Sequence, residues 1–315
     1  MMKAKTIKAI LRKKVDDWTS SIEDDAVRTL AEKNTIVTGG SIASMLLKEP
    51  VNDYDLYFRN KETAVAVAKY YVSRFKPAKQ RGIECAVWVD DAGDDGRIRI
   101  VVKSAGIASA EGAEKPYEYF EARPDDAATA YVGEVMNDPG DIEDTNEEAE
   151  GAALEIEDGS PKYRPIFLST NAITLSNKMQ IVLRFYGDPD AIHENYDYVH
   201  CTNYWTSWDG DLMLRQPALE ALLARELRYV GGKYPVCSII RLRKFIRRGW
   251  SINAGQMLKI MMQISALDLN DHTVLQDQLT GVDAMYFVQL IGKLKENDPD
   301  KVNSAYLCEI IDRMF

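Results

Sequence analysis

Two aspartates and a glycine-rich turn lie close together in the first fifth of the chain. Gly39, Gly40 and Ser41 separate two apolar segments, and Asp53 and Asp55 begin thirteen residues after Gly40. Glycines before a helix let the backbone approach an anion, toward which the N–H groups of the first helical turn point. Alternate side chains of a strand share a face, so the two aspartates point the same way. Two carboxylates beside a phosphate-binding turn are suited to metal-dependent phosphoryl chemistry. The alternative is a strand, turn and helix with a solvated acidic strand end.

This combination resembles the signature of the nucleotidyltransferase superfamily that includes DNA polymerase beta. The local pattern is most similar to the branch of CCA-adding and poly(A) polymerases, which reads Gly-Gly, a short helix, then Asp-x-Asp. The resemblance implies that Asp53 and Asp55 are catalytic and bind Mg²⁺ or Mn²⁺. It also implies that Gly39, Gly40 and Ser41 bind the triphosphate of a nucleotide. The reaction implied is transfer of a nucleoside monophosphate from a nucleoside triphosphate to a hydroxyl group.

A third carboxylate of the resembled branch lies on a later strand, a few residues before an arginine. The matching arginine here is Arg184, a predicted nucleotide-binding residue, but Gln180 stands near the position of the acid. A neutral amide binds Mg²⁺ more weakly than a carboxylate does. Asp197 is the nearest replacement and the predicted third catalytic residue. The alternative is loss of catalysis. The branch's arginine-rich base-selecting motifs are absent, so no nucleotide preference follows.

A basic segment in the second half of the chain resembles the helix that follows the CCA-adding catalytic domain. Arg241, Lys244, Arg247 and Arg248 recur at intervals of three and four residues, which predicts one basic face on a helix. Such a face binds a nucleic-acid backbone or a triphosphate. The alternative is a surface helix paired with acidic neighbours. The same two interpretations apply to the basic N-terminal residues, which are Lys3, Lys5, Lys8, Arg12, Lys13 and Lys14.

The segments at residues 185–189 and 196–201 also resemble uncharacterised nucleotidyltransferase-like proteins of bacteriophages. This resemblance covers most of the chain between residues 35 and 282. This resemblance indicates a bacteriophage source and does not identify a substrate.

The hydrophobic periodicity predicts strands and helices in the first two thirds of the chain and helices alone in the remainder. Together with the resemblance, this implies an α+β fold, with a nucleotidyltransferase-type mixed sheet and flanking helices followed by an all-α C-terminal domain. We expect an N-terminal helical arm at 1–33, a catalytic domain at 34–213 and a helical domain at 214–315. Residues 84–89 and 97–102 predict a hairpin, and residues 178–185 and 196–201 predict strands. An acidic insertion is expected near 104–161.

The chain of 315 residues has a net charge of −10, which at first disfavours a nucleic-acid partner. Ten acidic residues and no basic residue lie between positions 138 and 158, so the rest of the chain is neutral. That acidic segment either mimics nucleic acid, shields a basic groove, or serves as a solubilising loop. We expect no membrane span or secretion signal, and four scattered cysteines indicate a reducing cytoplasm, that of the host if a phage encodes the protein.

Together these features predict a metal-dependent nucleotidyltransferase whose partners are a nucleoside triphosphate and an RNA or DNA acceptor with a 3′ end. A protein or small-molecule hydroxyl is the next acceptor. The alternative from another class is a catalytically impaired nucleotidyltransferase fold that serves as a binding protein or a virion-associated protein.

Overall fold

The computed structural model describes residues 2–75, 85–92, 96–104, 162–168 and 171–269, together with 271, 274 and 278. The first of two compact units contains the described residues up to Ile192 together with Asn203–Leu214. The second contains His193–Thr202 and the described residues from Arg215 onward. The predicted acidic insertion lies almost entirely outside the described residues, as do the helices predicted for the last forty residues.

A seven-stranded mixed sheet forms the centre of the first unit. The seven strands are β1 Thr35–Thr38, β2 Tyr54–Phe58, β5 Pro165–Leu168, β6 Ala172–Leu175, β7 Met179–Tyr186, β8 Tyr204–Thr206 and β9 Leu212–Met213. Their order in the sheet is β5-β6-β7-β2-β1-β8-β9, with β2 and β7 parallel and the other neighbours antiparallel. A separate antiparallel hairpin joins β3 Cys85–Asp90 to β4 Arg99–Ser104. The predicted mixed sheet and hairpin are thus confirmed.

Helices cover the apolar side of this sheet. The helices of the first part of the chain are α1 Ala4–Ser20, α2 Asp25–Asn34, α3 Gly40–Leu47, α4 Lys61–Arg74 and the short α5 Pro189–His193. The buried residues of α1 recur at helical spacing, and one of the last of them, Trp18, contacts Phe58 and donates its indole N–H to the Tyr71 hydroxyl at 2.8 Å. Asn60 is the N-cap of α4, and its side chain accepts a hydrogen bond from the Thr63 N–H. Helix α1 therefore packs within the first unit.

The second unit is mainly helical. Its longer helices are α6 Gln216–Ala224, α7 Pro235–Arg247 and α8 Ala254–Ser265, and two parallel strands of two residues each, β10 Glu226–Leu227 and β11 Ser251–Ile252, are the exception to an all-α domain. In the parts of the chain that the structure describes, no helix has the length and apolar character needed to span a bilayer.

The strand predicted at residues 196–201 is wrong. Tyr198 makes one isolated bridge, to Tyr229, and a 3₁₀ turn follows at Val199–Cys201. The Tyr198 hydroxyl donates to the Ser238 carbonyl, and His200 packs against Phe245 and Trp250 with ring centroids 4.7 and 4.4 Å away. Burial of these large side chains against α7 decides the backbone conformation here. An alternating sequence pattern cannot reveal that packing.

Candidate functional site

The strand register places the signature residues in one row. Asp55 pairs with Thr38 of β1 on one side and with Gln180 of β7 on the other. Directly paired residues of neighbouring strands project from the same face of a sheet, about 5 Å apart. Asp55 is therefore flanked by a hydroxyl and an amide. The next residue, Leu56, pairs with Val37 and Ile181 in the buried apolar row of the opposite face.

The glycine turn begins at the same edge of the sheet as the aspartates. Gly39 follows the last residue of β1, Thr38, whose partner Asp55 is the second residue of β2. Asp53 directly precedes β2, and both aspartates are half-buried. The two carboxylates and the turn consequently lie at one edge because β1 and β2 run antiparallel.

Local sequence explains how α3 starts. Gly39 is the N-cap and has φ of 97°, which a side chain with a Cβ adopts only with strain. A Cβ placed on Gly40 would meet no atom within 4 Å. Open space therefore lies above the first turn of α3, where three N–H groups lack helical partners. This opening suits an approaching phosphate.

Ser41 provides the most specific sign of a ligand at this turn. Its side chain is only 2% exposed, yet its Oγ has no hydrogen-bond partner among the described residues. A buried polar atom without a partner is costly and rare in folded proteins. The hydroxyl is thus available to a bound oxyanion at the start of α3.

Thr38 was not singled out by sequence reasoning. Its side chain is fully buried, and its hydroxyl donates to the Asn203 carbonyl at 2.8 Å. This bond ties the end of β1 to the residue before β8 and fixes the strand end from which the glycine turn departs. The only sequence signal is a hydroxyl residue directly before two glycines.

The donor set at this edge fits one hard divalent cation. Asp53 and Asp55 supply carboxylate oxygens, and Gln180 supplies a neutral amide oxygen in register with Asp55. Mg²⁺ is commonly bound by one or two carboxylates, with substrate phosphates and water completing an octahedron. Within the described residues, no three His, Cys, Asp or Glu side chains are grouped so as to hold a metal ion. These residues could hold such an ion together with phosphate and water ligands.

Arg184, the predicted nucleotide ligand, lies on β7 of the same sheet. Its side chain is 8% exposed, and its guanidinium carbon lies 5.7 Å from the Phe185 ring centroid. Its role in nucleotide binding stays a prediction.

Asp197 lies in the second unit. Its nearly buried carboxylate accepts a hydrogen bond from the Arg241 guanidinium, and a Cβ placed on Gly232 would fall 2.5 Å from its Oδ1. The carboxylate is thus tightly packed and charge-paired within its own unit. Its predicted part in a metal site with Asp53 and Asp55 remains untested.

The predicted basic helix is confirmed as helix α7, while its binding function stays a prediction. Arg247 and its neighbour Arg248 are exposed, and Lys244 is half-buried. Arg241 donates a hydrogen bond to the Asp197 carboxylate, as the structural interpretation of the basic face predicts. Arg247 and Arg248 are accessible at the surface, and their binding of phosphate stays a prediction.

The N-terminal basic residues also divide into two kinds. Lys8 pairs with Asp211 at 2.7 Å in an exposed ion pair. Lys14 lies over the rings of Tyr54 and Tyr163, at 5.1 and 5.8 Å from their centroids. Burial is the main cause that lowers the pKa of Lys14, and nearby Lys178 lowers it further while Asp17 opposes the shift. Lys14 therefore packs against Tyr54 on β2, directly after Asp53.

Several solved structures share weak similarity with the chain. The Bacillus stearothermophilus CCA-adding enzyme in complex with CTP has 11% identity and a TM-score of 0.33, covering 75% of this chain and 42% of that one. The Thermotoga maritima CCA-adding enzyme complexed with tRNA has 11% identity and a TM-score of 0.38, covering 91% of this chain and 56% of that one. Neither structure indicates an activity for this chain at this level of similarity. The candidate site is therefore assigned from the geometry described above.

Sequence comparison identifies the family. A relative in Bacillus phage SPbetaL7, named Gabija anti-defense 2, is 21% identical over 123 residues, which is 38% of this chain and only 31% of the relative's length. The predicted similarity to bacteriophage proteins is confirmed by this relative. The sequence model of that family matches residues 9–225, which span the whole seven-stranded sheet. Because this match covers more than half of the 315 residues, the chain belongs to the Gabija anti-defense 2 family.

Proposed function

We propose that the protein is a metal-dependent nucleotidyltransferase that acts against a host defence. One observation carries the catalytic part of the proposal. The register joins Asp55 to the strand end from which the glycine turn departs, and Ser41 in that turn keeps a buried hydroxyl without a partner among the described residues. A carboxylate pair and a glycine turn with a buried, unpartnered hydroxyl thus share one edge of the sheet, which supports the proposal.

Each part of the site has a distinct role in this proposal. The first turn of α3 and the Ser41 hydroxyl would bind the triphosphate, and Asp53 and Asp55 would hold Mg²⁺ or Mn²⁺ against it. A divalent ion held by these carboxylates would neutralise phosphate charge and make a nearby hydroxyl more nucleophilic. The protein orients the reacting groups, and orientation supplies a large share of rate enhancement in phosphoryl transfer.

The acceptor that the charges favour is the 3′ end of a nucleic acid. The exposed Arg247 and Arg248 on α7 are suited to phosphate contacts, which dominate the affinity for nucleic acids. A hydroxyl of a protein or a small molecule is the next acceptor class, and the assay below separates them by the product that becomes labelled.

Removing the two carboxylates tests turnover. The Asp53→Asn/Asp55→Asn variant of the full chain should incorporate label from each α-³²P nucleoside triphosphate at least about a hundredfold more slowly than wild type, because the ion-binding charge is lost. A Glu32→Gln variant removes a charge from an exposed position on α2 and should keep wild-type activity. Equal incorporation by the double variant would contradict the assignment of the site.

The family relative supplies the biological part of the proposal. Its name states an action against a defence called Gabija, and we expect the present chain to act in the host cytoplasm against the same defence. Plating efficiency of a sensitive phage on a Gabija-bearing Bacillus strain should rise when this chain is co-expressed. The Asp53→Asn/Asp55→Asn variant should lose this effect if nucleotidyl transfer is required.

A non-catalytic role is the second candidate, and one observation favours it. Gln180, not an acid, stands in register with Asp55, so the site has fewer charges than the resembled enzymes. In this case the chain binds a defence component, or accompanies the virion, without turnover. Full protection by the double carboxylate variant, together with no incorporation by wild type, would select this candidate over the enzyme.

A further inference from the structure

Gln180 is the direct neighbour of Asp55 in the parallel pair β2–β7. The pairs Tyr54–Met179, Asp55–Gln180 and Leu56–Ile181 follow without interruption, so the register at this point is regular. The same row continues to Thr174 of β6, the antiparallel partner of Gln180. Four adjacent side chains of the row are therefore Thr174, Gln180, Asp55 and Thr38. Only Asp55 among them carries a charge.

The charge of this edge sets how a cation can bind. Asp53 and Asp55 together neutralise one divalent ion, and the amide at position 180 adds a dipole with two N–H donors and one weak acceptor oxygen. A hard cation that gives up water for a site needs several oxygen ligands, preferably anionic ones. In the parts of the chain that the structure describes, no further acidic, His or Cys side chain completes a group of three. Most ligands would then have to come from the triphosphate.

We infer that Gln180 makes metal binding conditional on the nucleotide, so that the ion enters as a metal–nucleotide complex and the protein without nucleotide binds it poorly. The inference rests on the proposed function in one respect, namely that a nucleotide binds at the start of α3. Coupling between two ligands is reciprocal, so the metal must raise nucleotide affinity by the same factor that the nucleotide raises metal affinity.

Mn²⁺ binding to the full chain, followed by electron paramagnetic resonance, tests the inference without any need for turnover. Wild type should bind Mn²⁺ at least about tenfold more tightly with a non-hydrolysable nucleoside triphosphate analogue than without one, after correction for Mn²⁺ held by free analogue. Each of the four analogues is tested in turn. The isosteric Gln180→Glu variant should bind Mn²⁺ without nucleotide at least about tenfold more tightly than wild type does. In the Gln180→Ala variant, tight Mn²⁺ binding should still require the nucleotide analogue.

The chain offers a matched control for charge alone. Thr174→Glu adds the same charge in the same row, one strand farther from Asp55, at about 10 Å instead of about 5 Å. It should leave nucleotide-free Mn²⁺ binding within about twofold of wild type, and thermal unfolding checks that each variant is folded. Equal gains in Thr174→Glu and Gln180→Glu would show a general charge effect and overturn the inference.

The remaining outcomes separate this inference from the proposed function. Tight Mn²⁺ binding by wild type without nucleotide overturns the inference, as does a Gln180→Glu variant with no gain. A gain in Gln180→Glu that disappears when Asp53→Asn/Asp55→Asn is added supports it, even where wild type shows no incorporation. Failure of incorporation alone therefore counts against the proposed enzyme and leaves the conditional metal site standing.

Discussion

Ser41 combines two properties that rarely occur together in a folded protein. It is buried at the second position of a helix, and its hydroxyl has no hydrogen-bond partner among the described residues. An unsatisfied buried polar group costs about 1–3 kcal/mol, which a bound phosphate oxygen at the start of α3 would offset. We therefore expect substitutions in this site to change ligand binding and stability by different amounts.

Truncating Ser41 separates those effects. Ser41→Ala should weaken binding of a nucleoside triphosphate by roughly 5- to 10-fold, since one hydrogen bond to an anion is lost. The free energy of unfolding should stay equal or rise, because an unpartnered buried hydroxyl is removed. Calorimetric titration and urea unfolding measure the two quantities. A variant that loses stability while it keeps nucleotide affinity would show that the hydroxyl serves the fold alone.

Gly40 tests the open space above α3. A Cβ at this position meets no atom within 4 Å, so Gly40→Ala should raise the free energy of unfolding by about 0.4–1 kcal/mol, because it reduces the conformational entropy of the unfolded chain. The same methyl group should obstruct the approach of a phosphate. Gly255 lies in the first turn of α8, and a Cβ added to it would also meet nothing within 4 Å, so Gly255→Ala is the matched control. We expect both variants to gain stability and only Gly40→Ala to lose nucleotide affinity. Equal affinity in the two variants would place the phosphate elsewhere.

Helix α7 has a buried region and an exposed basic region, which substitutions can separate. Its N-terminal half packs through buried residues such as Cys237 and Ile240, while its C-terminal turn exposes basic side chains. Arg241 stands between these regions and bonds to Asp197. The helix therefore contributes to the core of the second unit and presents cations at its end, where the helix dipole also favours positive charge.

The ion pair of α7 is expected to be structural. Asp197→Asn should lower the free energy of unfolding by about 1–3 kcal/mol, because Asp197 is nearly buried and its loss of charge weakens the bond to Arg241. The control Asp211→Asn removes an exposed pair with Lys8 and should cost less than about 1 kcal/mol. Urea unfolding measures both. Unchanged stability combined with a large loss of Mn²⁺–nucleotide affinity would instead support Asp197 as the third metal ligand.

The basic turn of α7 is expected to bind phosphates. Replacing Lys244, Arg247 and Arg248 by Ala should weaken binding to single-stranded RNA and reduce the slope of log affinity against log salt by about 0.7 for each phosphate that the protein no longer neutralises. A variant that removes three exposed charges elsewhere, at Lys33, Lys162 and Lys259, controls for net charge. Fluorescence anisotropy at several salt concentrations measures the slope. Identical slopes of log affinity against log salt for the two triple variants would show that the basic turn of α7 does not bind phosphates.

At the scale of the whole molecule, the chain does not divide at one point. Residues His193–Thr202 belong to the second unit, and the chain then returns to the first unit for β8 and β9 before it enters the remaining helices. The domain boundary predicted between residues 213 and 214 stays a prediction, and it adjoins Leu214, where the last part of the first unit ends. The segment His193–Thr202 supplies Tyr198 and His200 to the aromatic cluster of the second unit, with Phe245 and Trp250.

This cluster predicts how stability depends on pH. Burial lowers the pKa of His200 to about 3, whereas an unfolded chain has a histidine pKa of about 6.5. Between these values the unfolded state binds the additional proton, so stability is complete above pH 6.5 and falls as the pH decreases, by up to about 1.4 kcal/mol per pH unit. Urea unfolding between pH 7 and pH 5 should show this slope in wild type and a smaller one in His200→Phe. Near pH 8 the difference in the free energy of unfolding between the two proteins should no longer depend on pH. Equal slopes between pH 7 and pH 5 would contradict the assignment of this pH dependence to His200.

The sequence by itself determined the strand, turn, helix and strand that contain Gly39 and Asp55. Each signal there is local: glycines permit the backbone of the turn, apolar residues recur at helical spacing in α3, and alternation puts Asp55 opposite Leu56. The resemblance to nucleotidyltransferases depends on the same residues. Local signals also predicted the N-terminal helices and the β3–β4 hairpin correctly, because hydrophobic periodicity acts within a few residues.

Only the tertiary structure decided what surrounds those residues. Gln180 lies beside Asp55 because two strands separated by more than one hundred residues pair in parallel, and burial of Leu56 and Ile181 in the opposite face fixes that register. The hydroxyl of Ser41 loses solvent because α3 packs on the sheet, and Asp197 accepts a hydrogen bond from Arg241, which lies 44 positions away along the chain. Contacts between distant residues follow from the burial of the whole core, and no local pattern encodes them.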